Sequence, residues 1–479
     1  MVTDYRNYIN GQFLPCREDS MIEVRNPATH ELLARVPNAN DEEIEQAVQA
    51  ARRAQSSWAK LPAIQRAQHL RAIAAKLRDN REMLAQTITR EQGKVLGLAR
   101  VEVDFTADYM DYMAEWARRI EGEVINSDRS GESIFLLRKP IGVAVGILPW
   151  NFPFLLIARK LAPALVTGNT IVIKPSEITP INAFLFAELA AQTDLPAGVF
   201  NLVSGTGARA GTLLTSHPDV DVISFTGSVE TGTRIMAAAS RNLTRVNLEL
   251  GGKAPAIVLA DADLDLAAKA IYDSRVINTG QVCNCAERVY VQRPVAQELI
   301  DKIIAHMKAT TYGDPVGQPD VMMGPLVSEI GLNKVAGLVD RARIEGAEVA
   351  LGGRRADRSQ GYHYEPTVIL GCKADMEIMR KEIFGPVLPI QVVDDLDEAI
   401  ALANDSDYGL TSSIFTRDLK SAMRASRDLQ FGETYVNREH FEAMQGFHAG
   451  RRKSGLGGAD GKHGLYEFTA THMIYMQHG

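Results

Sequence analysis

Cys283 stands in GQVCNC (residues 280–285), where glycine and polar residues flank the sulfur. Such a run reads as a turn near a helix start, where a thiolate is stabilised and can act as a nucleophile. The plain alternative is a buried, inert thiol. Cys285, two residues on, reads that way. Glu249 lies in LELGGK (248–253), between apolar neighbours at a strand end. Burial there should raise its pKa and make it a usable base; the alternative is an ion pair with Lys253. Asn151 is a polar side chain inside LPWNFP (148–153). A buried amide needs partners, so it is either structural or a donor to a developing oxyanion. A soft nucleophile, a base and a neutral donor suit attack on a carbonyl carbon.

Three further runs suit a nucleotide. GTGARA (205–210) follows a strand and opens a helix, matching G-x-G-x-x-A. Asp221 comes too early to be its acidic ribose partner. FTGSVETG (225–232) is a second glycine turn after a strand, where Ser228 and the first helical N–H groups could hold a phosphate. In IVIKPSE (171–177) a strand ends at Lys174 and is stopped by Pro175. The carboxyl ends of parallel strands are where α/β proteins bind ligands. There Lys174 could donate to a ribose and Glu177 accept from its hydroxyls. Each run alone also reads as an ordinary turn; two glycine turns together point to a dinucleotide.

These residues need a frame, and the hydrophobic pattern supplies one. Residues 41–120 read as helices, with Asn40 or Asp41 as the first cap and Ile44, Val48 and Ala51 at helical spacing. Short β-branched runs then alternate with helical stretches. The runs are 141–147, 170–173, 199–203, 220–225 and 255–259; the helices lie near 154–165, 180–192, 207–216, 229–240 and 263–273. Strands this apolar belong in a parallel sheet covered on both faces. Residues 286–410 repeat the alternation. Residues 121–139 read as a hairpin around Asp128 to Gly131, and 465–476 as an isolated strand. These two could pair together or extend a neighbouring subunit's sheet. The apolar run 141–158 is broken by Pro149, Asn151 and Pro153, so it reads as strand, turn and helix start, not as a membrane span.

Composition narrows the class. The 479 residues are 46% hydrophobic and 23% charged, which excludes a disordered or fibrous chain. The net charge of −7 disfavours nucleic acid or an anionic membrane as partner. Arg451, Arg452 and Lys453 then read as a solvated loop. Cys16, Cys283, Cys285 and Cys372 make no disulfide framework, and C-x-C spacing suits neither redox nor zinc chemistry. No metal is expected. A reducing compartment fits, the first twelve residues show no leader pattern, and a cytoplasmic location is expected.

The runs PWNFP (149–153), KPSE (174–177), FTGS (225–228), ELGGK (249–253), GQVC (280–283), EIFGP (382–386) and KSG (453–455) occur in that order. In this the chain resembles the NAD(P)-dependent aldehyde dehydrogenase superfamily over nearly its whole length. FTADY (105–109), GQVCNC and FEAMQGFHAG (441–450) are similar to the branch acting on lactaldehyde and glycolaldehyde. The resemblance implies an α/β fold of two doubly wound α/β domains with a small β oligomerisation extension. Residues 1–120 and 140–250 would bind NAD, 251–452 would form the catalytic domain, and 121–139 with 453–479 would join subunits, as a homotetramer.

The resemblance also implies roles. Cys283 attacks the aldehyde to give a thiohemiacetal. Asn151 and the Cys283 N–H form an oxyanion hole, worth roughly 3–4 kcal/mol per donor. Glu249 activates the water that hydrolyses the thioester left after hydride transfer. Lys174, Pro175, Ser176 and Glu177 border the adenosine ribose, Gly207 the adenine, and Gly227 and Ser228 the pyrophosphate. Glu382 and Phe384 position the nicotinamide end, Leu148 and Trp150 offer backbone contacts, and Lys334 lies near the adenosine end. An acid at Glu177 favours NAD over NADP.

For the substrate, Phe152, Leu155, Leu156 and Arg159 share one face of a helix starting near Phe152, the face that lines the family's entrance funnel. A cation at Arg159 favours small polar or anionic aldehydes, unless a local acid pairs with it. Asn284 can hydrogen-bond an α-hydroxyl. Where many members carry Pro-Phe-Gly-Gly, this chain reads QGFHAG (445–450), which brings His448, with Glu442 upstream, towards the funnel. The expected reaction is NAD-dependent oxidation of small 2-hydroxyaldehydes to acids. Succinate semialdehyde is the alternative substrate. A non-catalytic descendant would be expected to lack Cys283 or Glu249, and a coenzyme A-acylating enzyme would not need Glu249.

Overall fold

The computed structural model describes residues 2–15, 21–356 and 361–479; Cys16 lies outside the described residues. The β-branched runs form the strands. Arg245–Glu249, Val222–Thr226, Val143–Ile147, Thr170–Lys174 and Phe200–Leu202 lie side by side in that order, all parallel. Val145 is level with Ile223 on one side and Val172 on the other. Val143–Ile147 and Thr170–Lys174 are buried at every position, so each needs apolar residues on both faces. Helices Asp41–Lys60, Leu155–Thr167, Ile181–Ala190 and Val229–Ala239 supply the cover. Asn40 is the cap of the first: its side chain accepts from the Glu43 N–H, and Glu43 returns the bond to the Asn40 N–H, both at 2.9 Å.

A second sheet repeats the plan. Its order is Glu348–Leu351, Thr367–Leu370, Val387–Val393, Ala286–Gln292, Ala254–Val258, Thr411–Phe415 and Glu433–Val436, antiparallel only at the first pair. The two doubly wound sheets are those expected. The orphan β segments pair with each other. Glu123–Ile125 and Glu132–Pro140 form the hairpin, and Thr469–Gln477 runs antiparallel along its whole length.

Three expectations change. Residues 461–466 are a short helix, Gly461–Tyr466, so the last strand starts at Thr469. Residues 453–479 are not one segment with one sheet. Gly455–Leu456 returns to the first sheet and pairs with Leu248 and Glu249. Gly455 has φ +149, and a Cβ there would lie 2.2 Å from the Leu248 carbonyl oxygen, so only glycine permits the approach. Residues 207–216 form a π-helical turn, Gly207–Gly211, before the short helix Thr212–Thr215. Among the described residues no helix is long and apolar enough to cross a membrane.

Candidate active site

Cys283 lies between a 3₁₀ turn, Ile277–Gly280, and the strand Ala286–Gln292. No helix begins after it, contrary to expectation, so its surroundings come from side chains and not from a helix terminus. Asn278, Thr279 and Gly280 adopt left-handed backbone in succession, with φ of 48°, 61° and 72°. For the two non-glycine residues this costs of order 1–3 kcal/mol each. Specific bonds hold the segment. Asn278 Nδ2 donates to the Asn151 carbonyl at 3.0 Å, Thr279 Oγ1 to the Gly324 carbonyl at 3.0 Å, and Arg275 to the Gly280 carbonyl. Cys283 is half-buried. Cys285 is fully buried and donates to the Val282 carbonyl at 3.0 Å; burial pushes its thiol up to about 12. It is the buried thiol expected.

Asn151 sits in the turn between Val143–Ile147 and Leu155–Thr167. Its carbonyl oxygen also accepts from Lys94 Nζ at 2.8 Å, and Glu102 neutralises that lysine at 2.5 Å in a pocket with no exposure. The other Glu102 oxygen accepts the N–H groups of Phe154 and Leu155, at 2.9 and 3.1 Å. One carboxylate thus caps the helix and fixes the turn before it. The Asn151 amide gives one N–H to the Gln281 carbonyl at 3.0 Å, which aims the second.

Glu249 ends its strand beside Lys160, at 3.4 Å, and accepts from Thr226 Oγ1 at 3.2 Å. Burial pushes its pKa up, but Lys160, Arg159 and His448 outweigh burial and hold the carboxyl below its ordinary range. The expected raised pKa is therefore wrong. The missed residue is Lys160, a lysine in an apolar helix. Lys253, the alternative partner, instead pairs with Glu287 at 2.8 Å.

Lys174, Pro175, Ser176, Glu177, Gly207, Gly227 and Ser228 end or follow strands of the first sheet at its carboxyl edge, while Glu382 and Phe384 precede the strand Val387–Val393 of the second. Lys174 Nζ donates to the Pro175 carbonyl at 2.9 Å and to Glu177 at 3.4 Å. The other Glu177 oxygen accepts the Gly207 N–H at 3.2 Å, joining KPSE to GTGARA. Burial raises the Glu177 carboxyl, and Lys174 together with the N–H groups of Glu177 and Gly207 more than offsets this, leaving it below its ordinary range. Ser176 Oγ accepts the Ile178 N–H at 3.3 Å. The Leu148 N–H is taken by the Lys174 carbonyl at 3.0 Å and the Gly227 N–H by the Glu249 carbonyl at 3.0 Å. Ser228 caps the helix Val229–Ala239 through the Thr231 N–H at 3.2 Å. Phe384 has φ 58°, its N–H donates to Glu287 at 3.1 Å, and its ring meets Trp150 edge-on at 5.4 Å. Glu382 accepts the Gly252 N–H at 2.8 Å. Lys334, expected near the adenosine end, instead faces Glu382 on the wall of the cavity holding Cys283. The donor set fits a dinucleotide: a Lys–Glu pair for vicinal hydroxyls, a capped helix start for phosphate and a second carboxylate near two aromatic rings.

The remaining polar residues form one cluster. Arg159 is buried and pairs with Glu442 at 2.9 Å and Asp460 at 2.8 Å. Glu442 also accepts from Asn284 Nδ2. Burial raises the Glu442 carboxyl, but His448 and Arg159 hold it at about 2. Asp460, unmarked by any sequence signal, is pushed up to about 6 by burial against the pull of Arg159. His448 is buried and is not among the residues that line the cavity. Its Nδ1 meets Glu433 at 2.9 Å. Burial would lower its pKa; Glu442, Cys283 and Glu433 instead hold it well above its ordinary value.

Cys283, Glu249, Asn151, Arg159, Asn284, Glu442 and Phe152 all line one cavity of about 240 Å³, which also reaches Ser228, Glu382 and Phe384. The family profile "Aldehyde dehydrogenase family" matches residues 13–474. The chain belongs to the aldehyde dehydrogenase family. This aldehyde dehydrogenase is 56% identical over 470 residues to lactaldehyde dehydrogenase of Escherichia coli strain K12, covering 98% of each chain. It is 42% identical to 3,6-anhydro-alpha-L-galactose dehydrogenase of Vibrio sp. strain EJY3, covering 98% and 99%. A solved structure of lactaldehyde dehydrogenase from Escherichia coli superposes with TM-score 0.98 at 56% identity, covering 100% of both chains. The enzyme is an oxidoreductase acting on aldehydes.

Proposed function

We propose that the enzyme oxidises lactaldehyde, glycolaldehyde and similar small 2-hydroxyaldehydes to carboxylic acids, with NAD as hydride acceptor. The observation that carries this is the state of Arg159. Its charge is answered twice, by Glu442 and Asp460. An anionic aldehyde would meet Glu442 before a free cation. The alternative of succinate semialdehyde loses its anchor, while a neutral polar substrate finds amide and carboxylate groups beside an apolar wall of Phe105, Phe152, Leu155 and Phe441. The relative most like this chain among those described acts, by its name, on lactaldehyde.

The chemistry follows from the residues. Cys283 Sγ attacks the carbonyl carbon, and the oxygen gains charge against the Cys283 N–H and the second N–H of Asn151. NAD bound beside Cys283 would supply the acceptor for the hydride of that carbon. Cys283 is left as a thioester. Glu249, kept ionised by Lys160, takes a proton from water as the water adds to the thioester carbon. The acid leaves and Cys283 is released. Lys174, Glu177, Ser228, Glu382 and Phe384 would hold the nucleotide. The ionised Glu177 repels a 2′-phosphate, which supports NAD over NADP.

The two doubly wound sheets support a division into an NAD-binding and a catalytic domain. Val124, Tyr475 and Met476 on the three-stranded sheet are 78%, 65% and 50% exposed. Apolar residues so displayed favour cover by a second copy, in keeping with a homotetramer in the cytoplasm. The test of function is NADH formation with glycolaldehyde, lactaldehyde, succinate semialdehyde and hexanal, ranked by kcat/KM. The hydroxyaldehydes should lead by about tenfold or more, about 1.4 kcal/mol in transition-state binding. A lead for succinate semialdehyde would overturn the reading.

A further inference from the structure

His440 is on the wall of the Cys283 cavity and is 6% exposed. Its Nδ1 lies 2.8 Å from the carbonyl oxygen of Asn284, the residue that follows the nucleophile. A carbonyl only accepts, so Nδ1 carries the proton. Nε2 is then a bare lone pair. It is buried and has no hydrogen-bond partner among the described residues. The ring stacks on Tyr435 at 5.3 Å, and Thr411 Oγ1 shares the Asn284 carbonyl at 2.8 Å, so the imidazole has a fixed orientation. A buried acceptor left unmatched costs about 1–3 kcal/mol. Such a group on a cavity wall calls for a donor from the ligand.

We propose that His440 Nε2 accepts the hydrogen bond of the substrate's α-hydroxyl, and so selects hydroxyaldehydes over their deoxy counterparts. This rests on the function proposed above and adds the group that reads the hydroxyl. Asn284 supplies the complementary contact. One N–H of its amide goes to Glu442, and the other can donate to the same hydroxyl oxygen. A hydroxyl that donates to His440 and accepts from Asn284 is satisfied in both senses, whereas an aldehyde lacking it leaves Nε2 unpaired. Such a site discriminates because the wrong ligand buries an unmet polar atom. Burial also pushes His440 down to about 4, so the acceptor tautomer persists through neutral pH.

The experiment compares kcat/KM for glycolaldehyde against acetaldehyde, and lactaldehyde against propanal, in the full-length enzyme and two variants. His440→Phe keeps a ring on Tyr435 and removes the acceptor. His440→Gln restores an amide oxygen. In His440→Phe, kcat/KM should fall for the hydroxyaldehydes by about tenfold more than for the deoxy aldehydes, with partial recovery of the ratio in His440→Gln. Structural damage would lower both substrates of a pair together and leave the ratio in place, which overturns the proposal. A wild-type ratio near one removes the proposed substrate class and this inference with it. A wild-type preference that survives His440→Phe removes this inference alone.

Discussion

Lys94 reaches from the helical layer to the backbone of Asn151, donating to its carbonyl at 2.8 Å while Glu102 matches its charge. The pair is wholly buried and is not among the residues lining the cavity, yet it holds the turn that carries Asn151, the proposed oxyanion donor. Lys94→Met should cost about 3–5 kcal/mol in denaturant unfolding, because Glu102 is left as an unpaired buried charge. It should also lower kcat. The double variant Lys94→Met/Glu102→Leu should recover much of the stability but not kcat, since the turn remains unheld. Recovery of both would show that the pair does not position Asn151.

Glu249 next to Lys160 is an ionised carboxylate ready to receive a proton. In the proposed mechanism Glu249→Gln removes the base but leaves Cys283 and the oxyanion donors. Rapid mixing should show a burst of NADH matching the enzyme concentration, with steady turnover lower by roughly 10²–10⁴-fold. Full turnover in this variant would end the hydrolytic role of Glu249.

Glu442 keeps Arg159 neutralised on the cavity side. Glu442→Gln leaves only Asp460 as partner and removes one negative charge from the face that meets the substrate. The ratio of kcat/KM for succinate semialdehyde over glycolaldehyde should rise about tenfold, the size of a modest charge-pair gain. An unchanged ratio would mean that Arg159 does not face the substrate electrostatically.

In the proposed binding mode Glu177 is the acid that a 2′-phosphate would meet. Glu177→Gln should raise kcat/KM with NADP relative to NAD by roughly tenfold or more, the scale of one lost like-charge contact. Assays with both nucleotides at saturating glycolaldehyde would show it. A variant as selective as the wild type would place discrimination elsewhere.

Glu287 receives Lys253, Arg275 and the N–H groups of Ile383 and Phe384. Burial alone would raise its carboxyl; Lys253 and Arg275 outweigh burial and hold it at about 2, below the ordinary 4.5. The native state therefore binds this proton less readily than the unfolded chain. The stability it contributes, roughly 3 kcal/mol, is whole above the unfolded value and is lost as pH falls from about 4.5 towards 2. Unfolding free energy measured across that window should drop in the wild type. Glu287→Gln should be less stable at neutral pH and show a shallower acid limb.

Much of the frame was legible because each strand run is buried on both faces and so must be apolar, while turns carry glycine and proline for local reasons. Cys283, Glu249, Asn151, Lys174 and Glu177 were visible as polar residues at the ends of such runs, where a local rule would not place them. Their electrostatic states were not. The carboxyl of Glu249 depends on Lys160, from a different element; the charge of Arg159 depends on Glu442 and Asp460, far along the chain; Lys253 could not be seen to prefer Glu287. His440 gave no sequence signal, because its meaning lies in one ring nitrogen tied to a backbone carbonyl and another left bare. Periodicity and turn chemistry act over a few residues, so the sequence alone determined the elements and the candidate groups. Coulombic pairing and hydrogen-bond satisfaction act through space, so only the tertiary structure decided which groups are charged, which are answered and which still need a ligand.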